Sequence, residues 1–355
     1  MYDKKKGSKP DPKQKRTELS EIGEFGLIDR LTRNIRIKNP ETLTGVGDDA
    51  AVIDVKGNLM LLSTDLLIEG VHFDLTYMPL KHLGYKAAVV NFSDIAAMNG
   101  IPKQITVSIA VSNRFSLEAL EELYSGILMA CEKYHVDLVG GDTSSSLSGM
   151  FISVTVTGEG KKEEIVYRSG AKEGDLICVS GDLGGAYIGL LILEREKHVF
   201  KVDPDIQPEL HGYEYVLSRQ LKPEARTDIR KLLQDLNIIP TAMIDISDGL
   251  ASEILHICKR SSTGCRLFEE KIPINDETRR LSMDFKLIPS ICALNGGEDY
   301  ELLFTIKQSD YEKIKEVADI SVIGHITANN EGAKLVTGDG KMLNLTAQGW
   351  DAMKK

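Results

Sequence analysis

Cysteine is scarce and scattered in this chain: Cys131, Cys178, Cys258, Cys265 and Cys292 are the five, and no two form a Cys-x-x-Cys pair. That spacing excludes a disulfide framework or a cysteine-held zinc site and points to reduced thiols. The seven histidines show no His-Glu-x-x-His spacing, so zinc hydrolase chemistry is not expected. No apolar run reaches the roughly 20 residues that span a bilayer. The Lys-rich start, Met1 to Arg16, has no hydrophobic stretch and reads as a flexible basic tail, not a secretory signal. A cytoplasmic protein with no membrane partner is the expectation. Positive charge is in deficit: 43 Lys and Arg face 53 Asp and Glu, a net charge of -10, which argues against nucleic-acid binding as the main task. The chain also lacks G-x-x-x-x-G-K-[ST] and the full G-x-G-x-x-G spacing, so neither standard phosphate loop is present.

What the chain does have is a set of carboxylates scattered among glycines and hydroxyls. The clusters are Gly47-Asp48-Asp49, Ser63-Thr64-Asp65, Ser93-Asp94, Gly141-Asp142-Thr143, Asp245-Ile246-Ser247-Asp248-Gly249 and Gly296-Gly297-Glu298-Asp299. Magnesium takes oxygen ligands, keeps several waters and is commonly held by one or two carboxylates together with substrate phosphates. Glycines let backbone N–H groups approach phosphate, and hydroxyls add neutral ligands. Any one cluster is also ordinary turn chemistry. Together they describe an enzyme that handles phosphates with several magnesium ions.

Ser93-Asp94 sits where a turn does not belong. Gly84 to Met98 contains good helix formers, no proline and nearly continuous apolar character, which predicts a buried helix. Lys86, Asn91 and Asp94 fall within one broad face of it. A carboxylate there needs a cation or a strong hydrogen-bond set, because an unpaired buried charge costs several kcal/mol. Lys86, about 12 Å away along the axis, is one candidate partner, and a metal is another.

At 355 residues, with 42% hydrophobic and 27% charged, the chain has room for two globular domains. Ser20 to Ile35 is periodic as a helix. Residues 50–55, 59–64, 104–111 and 150–157 read as strands, with a second helix over 117–134. The expected architecture is a flexible tail over 1–18, an α+β domain over 19–160 and a layered α/β domain over 161–355. Gly181 to Gly185 links a strand to a helix; it could cradle phosphate at the helix start or simply pack tightly. Residues 198–220 are polar and read as an insertion or mobile loop.

In this order the clusters resemble the thiamine-monophosphate kinase family, within the superfamily of aminoimidazole ribonucleotide synthetase-like, ATP-using enzymes. The likeness runs from Gly23-Glu24-Phe25-Gly26 through Gly45-Val46-Gly47-Asp48-Asp49 and Ser63-Thr64-Asp65 to Gly349-Trp350-Asp351. The resemblance implies transfer of the γ-phosphoryl group of ATP onto thiamine monophosphate, in a homodimer formed through the first domain. Metal ligands would fall on Asp49, Ser63, Thr64, Asp65, Asp94, Asp142, Asp245 and Asp248. ATP would meet Tyr124, Gly141, Asp142, Arg168 and Ser247, and thiamine would lie near His72, Glu298 and Trp350. By residue reading alone Arg168 is also a plausible surface arginine, His72 a packed strand-end histidine, and Trp350 an anchor for the C-terminal segment. Lys222-Pro223-Glu224-Ala225-Arg226 departs from the Arg-Pro-x-Pro-Arg more usual in relatives. Other members of the superfamily fit less well: a selenophosphate synthetase needs a reactive N-terminal Cys or selenocysteine, and the hydrogenase-maturation dehydratase ends in a cysteine tail. A non-catalytic binding protein of the same fold is the alternative outside enzymology.

Overall fold

The computed structural model describes residues 19–348, without the side chains of 19–25. By internal contacts, the described residues fall into two units, 19–36 and 37–348. The first contains helix α1 (Leu19–Thr32).

The larger unit begins with β1 (Thr42–Thr44), β2 (Ala51–Val55), β3 (Asn58–Ile68), α2 (Leu80–Ala97), β4 (Ile101–Val111), α3 (Leu117–Tyr134), β5 (Asp137–Ser145) and β6 (Phe151–Gly160). The strands form one sheet in the order β1-β2-β3-β6-β4-β5, antiparallel except for the β4–β5 pair. That parallel pair is joined by α3, the crossover such strands require. Alternation along β6 and β3 turns Leu59, Leu61, Ile152, Val154 and Val156 toward α2 and α3. The other face leaves Thr64 and Leu66 exposed. A Cβ on Gly84 would lie 1.9 Å from the Leu123 carbonyl oxygen, and one on Gly126 would lie 1.8 Å from that of Lys81, so bare glycine backbone is what lets α2 and α3 touch.

The chain continues with β7 (Leu176–Ser180), α4 (Gly185–Val202), α5 (Glu214–Leu221), α6 (Thr227–Asp235), β8 (Ala242–Asp245), α7 (Leu250–Ser261) and β9 (Gly264–Phe268). It ends with α8 (Asp276–Asp284), α9 (Pro289–Asn295), β10 (Leu302–Ile306), α10 (Tyr311–Ile314), β11 (Ile320–Thr327), β12 (Ala333–Val336) and β13 (Met342–Asn344). Seven strands pair in the order β13-β12-β9-β11-β7-β10-β8, all antiparallel except β12 with β9. Both faces are covered. Ile177, Val179, Ile244 and Leu303 pack with α7 and α9, while Cys178, Met243, Leu302 and Phe304 pack with α6 and α10. Ala97 of α2 joins the second of these cores, so α2 has tertiary neighbours on nearly every side. That is why its apolar character is almost continuous instead of striped.

One sequence expectation is corrected here. Residues 198–220 are not a loop throughout: α4 runs to Val202, and Glu214–Leu221 is helical with Val216, Leu217 and Gln220 buried. Val216 and Leu217 fill a core shared with Ile188 and Ile192 of α4, an apolar face too short to stand out between polar neighbours.

Candidate active site

Asp245 ends β8, with the whole strand buried, and the chain then turns through Ile246-Ser247-Asp248 into α7. α2 passes beside that strand end and presents Ser93 and Asp94; Asp49 stands just ahead of β2. Asp49, Asp94 and Asp245 each place a carboxylate oxygen so that all three lie within 4.8 Å of one another. Hydroxyls hold two of them: Ser63 Oγ donates to Asp94 Oδ2 at 2.6 Å and Ser93 Oγ to Asp245 Oδ2 at 2.6 Å. Arg168 grips the third as a fork, Nε to Oδ2 at 3.0 Å and Nη2 to Oδ1 at 2.8 Å of Asp49, while its backbone N–H donates to Asp48. Burial and mutual repulsion push the Asp94 and Asp245 carboxyls well above the usual range, and burial raises Asp48 to about 6.

A cavity of about 170 Å³ opens on this group. Asp65, Asp94, Asp245 and Ser247 contribute polar atoms, and so do His72, Lys86 and Glu298. The His72 Nδ1 accepts the Ile68 N–H at 3.0 Å, which sets the neutral tautomer with its proton on Nε2. Burial lowers the His72 pKa below its ordinary value. Glu298 comes from the loop that enters β10, tied down by N–H bonds from Glu298 to Ser247 O (2.7 Å) and from Tyr300 to Ile246 O (2.8 Å). Gly297 has φ 72°, and a Cβ there would meet Ser247 O at 2.6 Å, so only glycine permits this approach.

Thr64, Tyr124, Gly141, Asp142 and Asp248 do not line this cavity. The Thr64 side chain projects from the opposite face of β3 to Ser63 and Asp65 and bonds Val154 O and Thr155. Tyr124 packs on the first core from α3, and Gly141 and Asp142 are exposed on edge strand β5. The Asp248 N–H donates to Glu253 Oε1 at 3.0 Å. Trp350 falls outside the described residues. Lys86 is not the partner of Asp94; it pairs with Glu298 at 2.9 Å. The Gly181–Gly185 turn is packed rather than open to phosphate: Asp299 accepts the Gly184 N–H at 2.8 Å at the start of α4, and Gly184 closes on the backbone of Cys292 and Ala293.

Comparison with known proteins matches residues 47–159 to the N-terminal domain model of AIR synthase related protein and residues 172–336 to its C-terminal domain model. Thiamine-monophosphate kinase of Bacillus subtilis is 33% identical over 341 residues, covering 94% of this chain and 100% of that protein. The Aquifex aeolicus enzyme of that name is 36% identical, covering 94% and 98%. The chain belongs to the thiamine-monophosphate kinase family. A solved structure described as AaThiL complexed with AMPPCP and TMP superposes with a TM-score of 0.80 at 34% identity, covering 95% of this chain and 99% of that one. The hydrogenase maturation protein HypE, solved with ATP, shares the fold at 20% identity and a TM-score of 0.66.

Two residues that sequence reasoning passed over bond to candidate site residues, Glu253 to Asp248 and Gln220 to Glu298. Glu253 is 2% exposed with its pKa pushed well up by burial. Its reach back to the Asp248 N–H spans five residues, two more than a capping box, so no local spacing marked it. Gln220 donates to Glu298 Oε2 at 2.6 Å; nothing local in the sequence marks it.

Proposed function

We propose that this chain transfers the γ-phosphoryl group of ATP to thiamine monophosphate, giving thiamine diphosphate and ADP. The observation that carries the reading is the convergence of Asp49, Asp94 and Asp245, of which Asp94 and Asp245 line a cavity that also holds His72 and Glu298, in a chain of the kinase family. The three convergent groups offer only oxygen donors, the chemistry that suits magnesium and not zinc. They are held close together against their mutual repulsion, as residues that receive a cation must be. Asp49, Asp94 and Asp245, with Asp65, Asp248 and the Ser63 hydroxyl nearby, would hold it. Bound magnesium supplies neutralisation of the charge that two polyphosphates bring together.

The chain's own residues do the rest. Ser63 and Ser93 fix the orientation of Asp94 and Asp245. Arg168 offers a fork of donors suited to a phosphate once it leaves Asp49. Ser247 lines the cavity next to Asp245, and His72 and Glu298 face the thiamine end. A phosphate oxygen is already anionic near neutral pH, so no nucleophile or general base is required.

Domain limits of 19–160 and 161–355 are supported by family matches that stop at 159 and resume at 172. Tyr124, Gly141, Asp142, Thr64 and Trp350 complete the proposed nucleotide, metal and thiamine contacts. A homodimer through the first sheet accounts for its uncovered face and for the exposed apolar Leu66 and Val139. No helix among the described residues is long and apolar enough to cross a membrane, and a cytoplasmic setting fits the reaction.

Purified protein incubated with ATP, magnesium and thiamine monophosphate should form thiamine diphosphate one-for-one with ADP, read by chromatography against a free-thiamine control. ADP without thiamine diphosphate would reassign the acceptor.

A further inference from the structure

Lys86 is 2% exposed, enclosed on α2, yet it borders the cavity. Its Nζ donates to Gln220 O at 3.0 Å and meets Glu298 Oε1 at 2.9 Å. Gln220 Nε2 takes the other oxygen, Glu298 Oε2, at 2.6 Å. Each oxygen of Glu298 therefore has one donor, and a carboxylate has about four acceptor sites, so both oxygens can accept again. Part of Glu298 remains open, with its side chain 31% exposed.

Two features set this arrangement apart from ordinary core packing. Enclosing an ammonium carries a desolvation cost of several kcal/mol, and an apolar side chain of similar length would fill the same slot without it. Glu298 also has φ 58°, in the left-handed region, with Tyr300 beside it at φ 52°; a non-glycine residue there is strained by about 1–2 kcal/mol. The loop is thus held in an unfavourable backbone state that aims one carboxylate. Lys86 lies eight residues before Asp94, about 12 Å along the helix axis, which separates the Glu298 end of the cavity from the carboxylate cluster.

We propose that Lys86 is a positioning residue for acceptor recognition: with Gln220 it fixes the Glu298 carboxylate so that its remaining acceptor sites take the nitrogen heterocycle of the substrate at a set distance from Asp94 and Asp245. The proposal rests on the kinase reading above. Lys86 acts through Glu298 and touches neither ATP nor the reacting phosphates.

The test is a double-mutant cycle of Lys86→Met, Glu298→Gln and the pair together, with KM for thiamine monophosphate, KM for ATP, kcat and thermal melting measured for each. Lys86→Met should raise KM for thiamine monophosphate by about tenfold, which is about 1.4 kcal/mol of binding, and leave KM for ATP and kcat within about threefold of wild type. The double variant should show a KM no higher than Glu298→Gln alone, because the lysine has nothing to position once the carboxylate is gone. A purely structural lysine would move both KM values together or lower kcat, and either result overturns the proposal, as does a double variant whose KM multiplies the two single effects. Should Lys86→Met melt below assay temperature from its unpaired Glu298, the double variant, free of that charge, still decides against Glu298→Gln. If Glu298→Gln leaves KM unchanged while wild type makes thiamine diphosphate, the proposal fails and the kinase reading stands. If wild type makes no thiamine diphosphate, the reading itself has failed.

Discussion

Glu301 and Asp245 are both enclosed carboxylates, 1% and 4% exposed, at neighbouring positions of the second sheet, but their surroundings differ in kind. Glu301 receives Arg219 at 2.9 Å, Arg226 on its other oxygen, and the Ser180 hydroxyl. Asp299, two residues away, has the Gly184 N–H and Arg219 at 3.7 Å. Glu301 thus has two arginines of its own, of which Arg226 also pairs with the exposed Asp228 at 3.0 Å. Around Asp245 the balance is different: among the described residues, the ion pair made by Asp49, Asp65, Asp94 and Asp245 is that of Arg168 with Asp49. Hydroxyls from Ser63 and Ser93 orient Asp94 and Asp245 without neutralising them. Buried negative charge that the chain compensates is architecture; buried negative charge that it leaves over is capacity for a cation arriving with the substrate.

This contrast fails or sharpens with three variants. Asp94→Asn should lower kcat by roughly 10³-fold, since it removes a ligand from the site that neutralises the transferred phosphate, and should leave urea stability unchanged or raised because one repelling charge is gone. Retention of more than a tenth of wild-type kcat would place the cation elsewhere. Arg226→Met should do the reverse. Stripping Glu301 of one of its cations should lower unfolding free energy by about 3 kcal/mol, with kcat of the folded fraction little changed; an undiminished urea midpoint would mean the second cluster is not held by its arginines. The smallest effect concerns Asp299, whose pKa burial raises from 3.8 to about 7. Between those values the folded chain keeps a proton that the unfolded chain has lost. Its contribution is therefore complete below about pH 4 and is lost as pH rises through about 7. The difference in stability between wild type and Asp299→Asn should fall with rising pH by up to about 1.4 kcal/mol per unit, and denaturation across pH 4–8 that shows parallel curves would refute the shift.

Much of this site was legible in the chain. The carboxylate clusters, the helical reading of the Asp94 segment and the α+β first domain all follow from residue type and short-range spacing, because backbone propensity and metal-ligand chemistry act over a few residues. The family motifs narrowed the acceptor to thiamine monophosphate. Which groups compensate which was not legible. Lys86 was the local candidate for Asp94 but closes on Glu298, far downstream, and Ser63 and Ser93 hold the two acids instead. The Gly181–Gly185 turn read equally as a phosphate cradle or as close packing until Asp299 proved to occupy its helix start. Residues 198–220 read as an insertion or mobile loop until the apolar side of the 214–221 helix met α4. Composition and periodicity thus determined what kinds of groups this protein carries and on which elements. Only the tertiary structure decided which charges are left unspent, because Coulomb interaction and desolvation depend on distance and burial in space, not on separation along the chain.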